Sequence, residues 1–191
     1  MNPVRNFTMK YKKLTGIILK KQNYREADQI VSCWTQEAGK VRILAKSLRK
    51  PASKLNYACQ DLAQVELYLA GKHLPTLIGA KPVRQFNSLR TDLKKTAIAF
   101  YAAELMLKMT ADEHPNPEAY NLLTDFFYNL DRQNYSEQYF RLLDSFCVEL
   151  LEILGFKIPK DVDQLNHHTI NKFIEYILER NIKSELFLIS I

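Results

Sequence analysis

The 191-residue chain has only 5 glycines, Gly16, Gly39, Gly71, Gly79 and Gly155, and no two of them are close neighbours. Neither G-x-G-x-x-G nor G-x-x-x-x-G-K-[ST] can be written, so no phosphate-cradling loop exists and nucleotide hydrolysis drops out. The 3 cysteines, Cys33, Cys59 and Cys147, are odd in number, far apart and without C-x-x-C spacing. A disulfide framework or a four-cysteine zinc site within one chain is therefore excluded, and Cys33 and Cys147, set in apolar patterns, read as inert core. The 4 histidines form no H-E-x-x-H. His167 and His168 diverge on any regular element and read as solvated loop residues, as do Asp161 and Asp163, so no metal and no cofactor is expected. No nucleophile has an identifiable base beside it, and the chain reads as a non-enzyme. No apolar run approaches the about 18 residues of a membrane span, and residues 1–8 lack the apolar stretch of a secretory signal. A cytoplasmic protein with no membrane partner is expected.

What is present is a folded composition with an uneven charge. Hydrophobic residues make up 47% and charged residues 25%, as in soluble globular domains. Residues 1–85 carry 16 Lys and Arg against 5 Asp and Glu, net +11, whereas residues 86–191 carry 11 against 16, net −5. A segment this cationic repels itself and attracts polyanions at long range. Charge added for solubility alone would not stop at one boundary. The natural partner of the first half is a nucleic acid or an acidic protein.

The hydrophobic period changes at the same boundary. Residues 14–20, 29–35, 40–46, 62–69 and 74–83 read as short strands, with Gly39 supplying the positive φ of the turn between the second and third. In the third, Val41, Ile43 and Ala45 alternate with Lys40, Arg42 and Lys46, giving an apolar and a cationic face. In the fourth, Ala63, Val65, Leu67 and Leu69 alternate with Gln64, Glu66 and Tyr68. Five strands with no regular helix between them close most economically into an OB-like barrel, because an open sheet leaves unprotected edges.

Beyond residue 85 the period is helical. Residues 91–109 read as a central buried helix, with Glu104 and Lys108 an i,i+4 pair on its exposed strip. Asn116 caps a second helix with Pro117 at its first position, burying Tyr120, Leu123, Phe127 and Leu130. Ser136 opens a third, burying Tyr139, Phe140, Leu143, Phe146 and Cys147 and stopping at Gly155. Thr169 caps a fourth, and Ser184 opens a last short one. The expected class is α+β, a five-stranded barrel over residues 1–85 packed on an all-helical bundle over residues 86–191.

Functional chemistry concentrates in the first half. Lys40, Arg42, Lys46, Arg49, Lys50 and Lys54 follow one another along the third strand and the loop after it, and Lys20, Lys21 and Arg25 at the end of the first strand extend the track. Lysine and arginine heads supply the phosphate pairing that dominates nucleic-acid affinity. Tyr24 and Tyr57 beside them are candidates for stacking bases, which suits single strands better than duplex. Trp34 reads as core. The same composition also allows an RNA-binding OB module or a protein-docking adaptor.

Five segments in order carry a resemblance: Gly16-Ile17-Ile18-Leu19-Lys20; Tyr24-Arg25-Glu26-Ala27-Asp28-Gln29-Ile30; Gly39-Lys40-Val41-Arg42-Ile43-Leu44-Ala45-Lys46 followed by Arg49-Lys50-Pro51; Leu74-Pro75-Thr76-Leu77; and Leu150-Leu151-Glu152-Ile153-Leu154-Gly155-Phe156. In these the chain resembles the bacterial recombination mediator family RecO. The resemblance implies an N-terminal OB fold and a helical C-terminal domain. It implies a non-enzymatic, nucleoid-associated role in DNA repair: binding single- and double-stranded DNA, annealing complementary strands, and working with RecR to load RecA on DNA coated by single-strand-binding protein (SSB). It further implies a contact with the acidic C-terminal tail of SSB, for which Lys94, Lys95, Lys108, Arg132 and Arg141 are the obvious basic sources in the helical half. Two departures stand out. Residues 157–191 hold no cysteine, so the zinc module of many relatives is expected to be absent, and residues 1–8 precede the usual start and are expected to be poorly ordered.

Overall fold

The computed structural model describes residues 11–157 and 166–184. The expectations for residues 1–8, for Asp161 and Asp163, and for a helix running on from Ser184 lie outside the described residues. The first half forms β1 (Tyr11–Tyr24), β2 (Asp28–Thr35), β3 (Gly39–Ala45), α1 (Lys54–Ala58), β4 (Gln64–Ala70) and β5 (Thr76–Arg84). The second forms α2 (Ser88–Thr91), α3 (Leu93–Met109), α4 (Pro117–Arg132), a 3-10 turn (Ser136–Gln138), α5 (Tyr139–Ile153) and α6 (His167–Leu178). The strands close into a barrel in the order β1-β2-β3-β5-β4, sealed by one parallel pair, Leu44 with Thr76. The α+β class and the barrel-then-helices order are those the periods imply.

Two local corrections matter. The loop after β3 is not free of helix, since α1 occupies Lys54–Ala58, and its single turn is too short to leave a periodic signal. β1 is also longer than its apolar run, with 14 residues. Its polar end Lys20–Tyr24 pairs along β2 as far as Asp28, and antiparallel pairing rather than hydrophobicity holds it extended.

Register decides which side chains meet. Leu14 and Ile18 of β1 lie in the barrel interior with Val31, Cys33, Ile43 and Leu67. The β1–β2 ladder slips between Ile18 and Lys20. This bulge changes the phase of the strand: Leu19 joins the helical core, Lys20 stands opposite Ser32, and Lys21 stands opposite interior Val31.

One cross-strand row runs through all five strands: Lys40, Trp34, Ile17, Gln64 and Arg84. Directly opposed residues share a face, and this row is the one the helices cover. Trp34 and Ile17 are buried among Ala97, Ile98, Tyr101 and Phe127. Gln64 Nε2 donates to the Tyr120 hydroxyl at 3.0 Å. At one end the Lys40 ammonium reaches α3, and at the other the Arg84 guanidinium lies 4.5 Å from the Tyr128 ring.

The helices obey their caps with a few exceptions. Asp92 accepts from the Lys95 N–H and Asn116 from the Ala119 N–H, with Pro117 at the start of α4. α6 is capped by Asn166 rather than Thr169, whose own N–H and hydroxyl both donate to Asn166 Oδ1. His167, in the first turn of α6, pairs with Asp144 at 2.9 Å instead of facing solvent. Phe140 is 41% exposed rather than buried, and its ring meets that of His167 edge-on at 5.3 Å. Glu104 is not a mere surface partner of Lys108. Its carboxylate also accepts from the backbone N–H groups of Lys183 and Ser184 and from the Ser184 hydroxyl. Burial would push this carboxyl up, but Lys108 and these donors outweigh it and hold it at about 2.

Candidate nucleic-acid interface

The outer face of β1, β2 and β3 beyond the helix-covered row carries the cationic set. Lys20, Ser32 and Arg42 stand in one cross-strand row, and Gln22, Ile30 and Leu44 in the next. Tyr24 opposes Asp28 in the row after that, level with Lys46 just past β3. Neighbouring strands are about 4.8 Å apart and alternate residues about 6.6 Å along a strand. Lys20, Arg42 and Lys46 therefore share a patch roughly 10 Å by 13 Å. All three are exposed.

The patch continues into a groove of about 660 Å³ lined by Arg25, Asp28, Ser47, Arg49, Lys50 and Pro51. Backbone bonds join its two walls: Arg49 N–H donates to the Ala27 carbonyl at 3.1 Å, and Ser47 N–H to Asp28 Oδ1 at 2.7 Å. Arg49 Nη1 donates to the Glu26 carbonyl at 3.2 Å, which uses one of its five N–H donors. Arg25 and Ser47 hold positive φ of 54° and 52°, turning the two loops back toward each other. The Arg25 guanidinium stands 5.3 Å from the Tyr24 ring centroid, so on that side the ring meets an arginine rather than a base.

Two of the expected lysines are used inside the protein. Lys21, its side chain 15% exposed, pairs with Asp61 at 3.3 Å and donates to the Cys59 carbonyl, because strand alternation sends it to the face opposite Lys20 and the bulge at Leu19 makes Lys20 the outward one. Lys40, 12% exposed, donates to the carbonyls of Leu107 and Thr110 at 2.7 and 2.6 Å and pairs with Asp112 at 3.2 Å. It satisfies the C-terminus of α3, where unpaired carbonyls and the helix dipole favour a cation. Lys40→Met is accordingly expected to lower stability by about 2 kcal/mol while leaving oligonucleotide affinity within about twofold. Chemical denaturation and fluorescence anisotropy check the two parts, and an affinity loss as large as that from Arg42→Gln would return Lys40 to the interface.

Lys54 and Tyr57 are exposed but lie on α1, whose main strand partner is β5. Sequence reasoning missed Lys12, Lys72 and His73. They line a groove of about 560 Å³ with Arg42, Leu74 and Pro75. The signal was topological: in an OB barrel the β2–β3 face is flanked by the β1–β2 and β4–β5 loops, and Lys72 and His73 occupy the second of these. In the helical half, Lys95 is buried against Ser88 and the Asp131 carbonyl, and Lys108 is held by Glu104 and the Asn181 carbonyl. Of the five basic residues singled out there, Lys94, Arg132 and Arg141 remain exposed.

Comparison with known proteins gives two family matches, to Recombination protein O N terminal over residues 9–86 and to Recombination protein O C terminal over residues 90–174. The chain is 35% identical over 146 residues to the DNA repair protein RecO of Dehalococcoides mccartyi, covering 76% of this chain and 56% of that protein. It is 31% identical over 144 residues to the DNA repair protein RecO of Listeria welshimeri, covering 75% and 55%. The chain spans about half the length of the curated relatives it matches.

Proposed function

The chain belongs to the RecO family, and from that premise we propose that it is a DNA-binding mediator of repair that works without an active site. The observation that carries the reading is the register of β1–β2–β3, which sets Lys20, Arg42 and Lys46 on one face and runs them into the Arg25–Arg49–Lys50 groove. Such a surface holds single- or double-stranded DNA by its phosphates. Neutralising the phosphates of two strands lowers their repulsion, so complementary bases can meet, and annealing follows without bond chemistry. The division at residue 85 into a DNA-binding module and a helical module belongs to the same reading. So do a cytoplasmic, nucleoid-associated location, cooperation with RecR in loading RecA, and contact of the SSB tail with the helical module.

Annealing of fluorescently labelled complementary strands coated with SSB tests it. The wild-type protein should accelerate annealing, and the variant lacking Arg42, Lys46, Arg49 and Lys50 should not. Equal rates with and without protein would reject the mediator reading, and preference for matched RNA over DNA would favour an RNA-binding module.

A further inference from the structure

The row covered by the helices ends in an exposed cation. Arg84, the last residue of β5, lies over two rings, 5.9 Å from Phe86 and 4.5 Å from Tyr128. Arg132, one turn along α4 from Tyr128, approaches the same tyrosine at 5.2 Å, and its Nη1 donates to the Tyr128 hydroxyl at 3.1 Å. Among the described residues neither guanidinium pairs with a carboxylate. The nearest by sequence, Asp131, is engaged by the N–H and hydroxyl of Ser88 at 2.9 and 2.8 Å. Two exposed arginines from different modules are thus held against one ring, with only one N–H of Arg132 engaged, by the Tyr128 hydroxyl, and most of their donors left to bind an anion. That suits planar, bidentate recognition of an oxyanion, and ordering them in advance removes part of the cost of binding.

This pair has neighbours that lead back to the first site. Gln85 Nε2 donates to the Tyr57 carbonyl at 3.3 Å, which brings α1 to the end of β5. Tyr57 is 71% exposed, and Lys54 opens the same helix. The Ser53 N–H, immediately before it, donates to the carbonyl of Lys50, a wall of the 660 Å³ groove. The sequence of groups is therefore Lys50, Lys54, Tyr57, Arg84, Arg132, cations with an exposed ring between them, which is the pattern of a single-strand track. A carboxylate-rich protein would use the cations but has no use for the open ring of Tyr57.

The geometry points to a continuation of the DNA path: a single strand held on the β2–β3 face turns around the end of the barrel past α1, and its phosphodiesters are clamped by Arg84 and Arg132 on α4. This rests on the proposed DNA binding and assigns to it an extra segment that joins the two modules. The clamp reads phosphates and no base edge, so it serves any sequence.

Oligonucleotide length separates this extension from the first site. Fluorescence anisotropy would compare unstructured DNA of about 6 and about 16 nucleotides, within the range covered by OB folds, for wild type and for Arg84→Gln/Arg132→Gln. Each single-strand phosphate left without its cation takes about 0.7 from the salt slope, or about fivefold in affinity at 0.1 M salt. The double variant should bind the long strand about 25-fold more weakly, with a slope shallower by about 1.4, and bind the short strand within twofold of wild type. Tyr128→Leu, which keeps both charges but frees them, should weaken long-strand binding by part of the same factor. Equal weakening for both lengths, or none for either, would overturn the extension while leaving the first site standing. Failure of wild type to bind either length would overturn both. Capture of polyglutamate that depends on Arg84 and Arg132, with both DNA lengths bound equally by wild type and double variant, would assign the clamp to an acidic protein instead.

Discussion

Replacing Arg42, Lys46, Arg49 and Lys50 together by glutamine should weaken single-strand binding by about 10² to 10³-fold at 0.1 M salt. The figure follows from counterion release, in which each neutralised phosphate gives about 0.7 of slope and about fivefold at that salt, compounded over four phosphates. On a strand of about 6 nucleotides, which reaches only the first site, about five held phosphates make the wild-type slope of log K against log salt about −3.5 and that of the variant about −0.7. The weakening should be similar for unrelated sequences, since these groups face the backbone of the ligand. Stability should hardly change. All four side chains are exposed, the one side-chain hydrogen bond removed among the described residues is from Arg49 Nη1 to the Glu26 carbonyl, and removing four like charges relieves repulsion in a half that carries net +11. Anisotropy titrations at several salt concentrations, with a thermal melt of each protein, check this. A variant that keeps the wild-type slope would remove these residues from the interface.

Gly39→Ala should cost about 2 to 5 kcal/mol, the largest effect on stability expected of any single small substitution here. Two causes add. Gly39 has φ of +66°, a conformation that costs other residues about 1 to 2 kcal/mol. A Cβ at this position would also overlap the backbone carbonyl of His114, which cannot swing aside as a side chain could. Crowding of that kind costs roughly 1 to 3 kcal/mol more. The turn is pinned from both sides, because Lys40 anchors to the end of α3 and the Glu113 N–H donates to the Lys40 carbonyl at 2.9 Å. A fall in melting temperature of about 10 °C is expected at 2 to 4 °C per kcal/mol for a chain of this size. Trp34, the sole tryptophan, is buried where barrel meets helices, and its emission reports the opening of that junction. Gly155→Ala is the control. Its φ is +83° but no atom of the described residues lies within 4 Å of the added carbon, so about 1 to 2 kcal/mol is expected. Equal costs at the two glycines would show that the His114 carbonyl gives way.

Much of this architecture can be read from residue order, since alternation and the 3.6-residue period report burial directly. Asn116, Pro117, Gly39 and the apolar faces of β3 and β4 stand where their chemistry requires. What escaped has one common cause, that the partners are distant in sequence. Nothing local distinguishes Lys40 from Arg42, two residues apart on the same outer face. One meets carbonyls 67 and 70 residues away, and the other meets solvent. Which of Lys20 and Lys21 faces outward is set by a bulge just before them, at Leu19, that depends on pairing with β2 and not on their own identity. Lys72 and His73 join Arg42 only because β5 closes against β3. The clamp at Tyr128 needs β5 and α4 side by side, so Arg84 and Arg132 look like any other surface arginines in the linear sequence. The +11 charge of residues 1–85 points to the module that carries the proposed face, but it does not say which cations the fold consumes.

The central proposition, that one cationic face of the barrel holds a polynucleotide by its backbone, is tested most directly by amide NMR during titration with substoichiometric single-stranded DNA. Shifts should concentrate at Lys20, Ser32, Arg42, Leu44 and Lys46 and in the loops bearing Arg25, Arg49 and Lys50, and should fade as salt rises. Shifts confined to α3–α6, with the β1–β2–β3 face silent, would be incompatible with it.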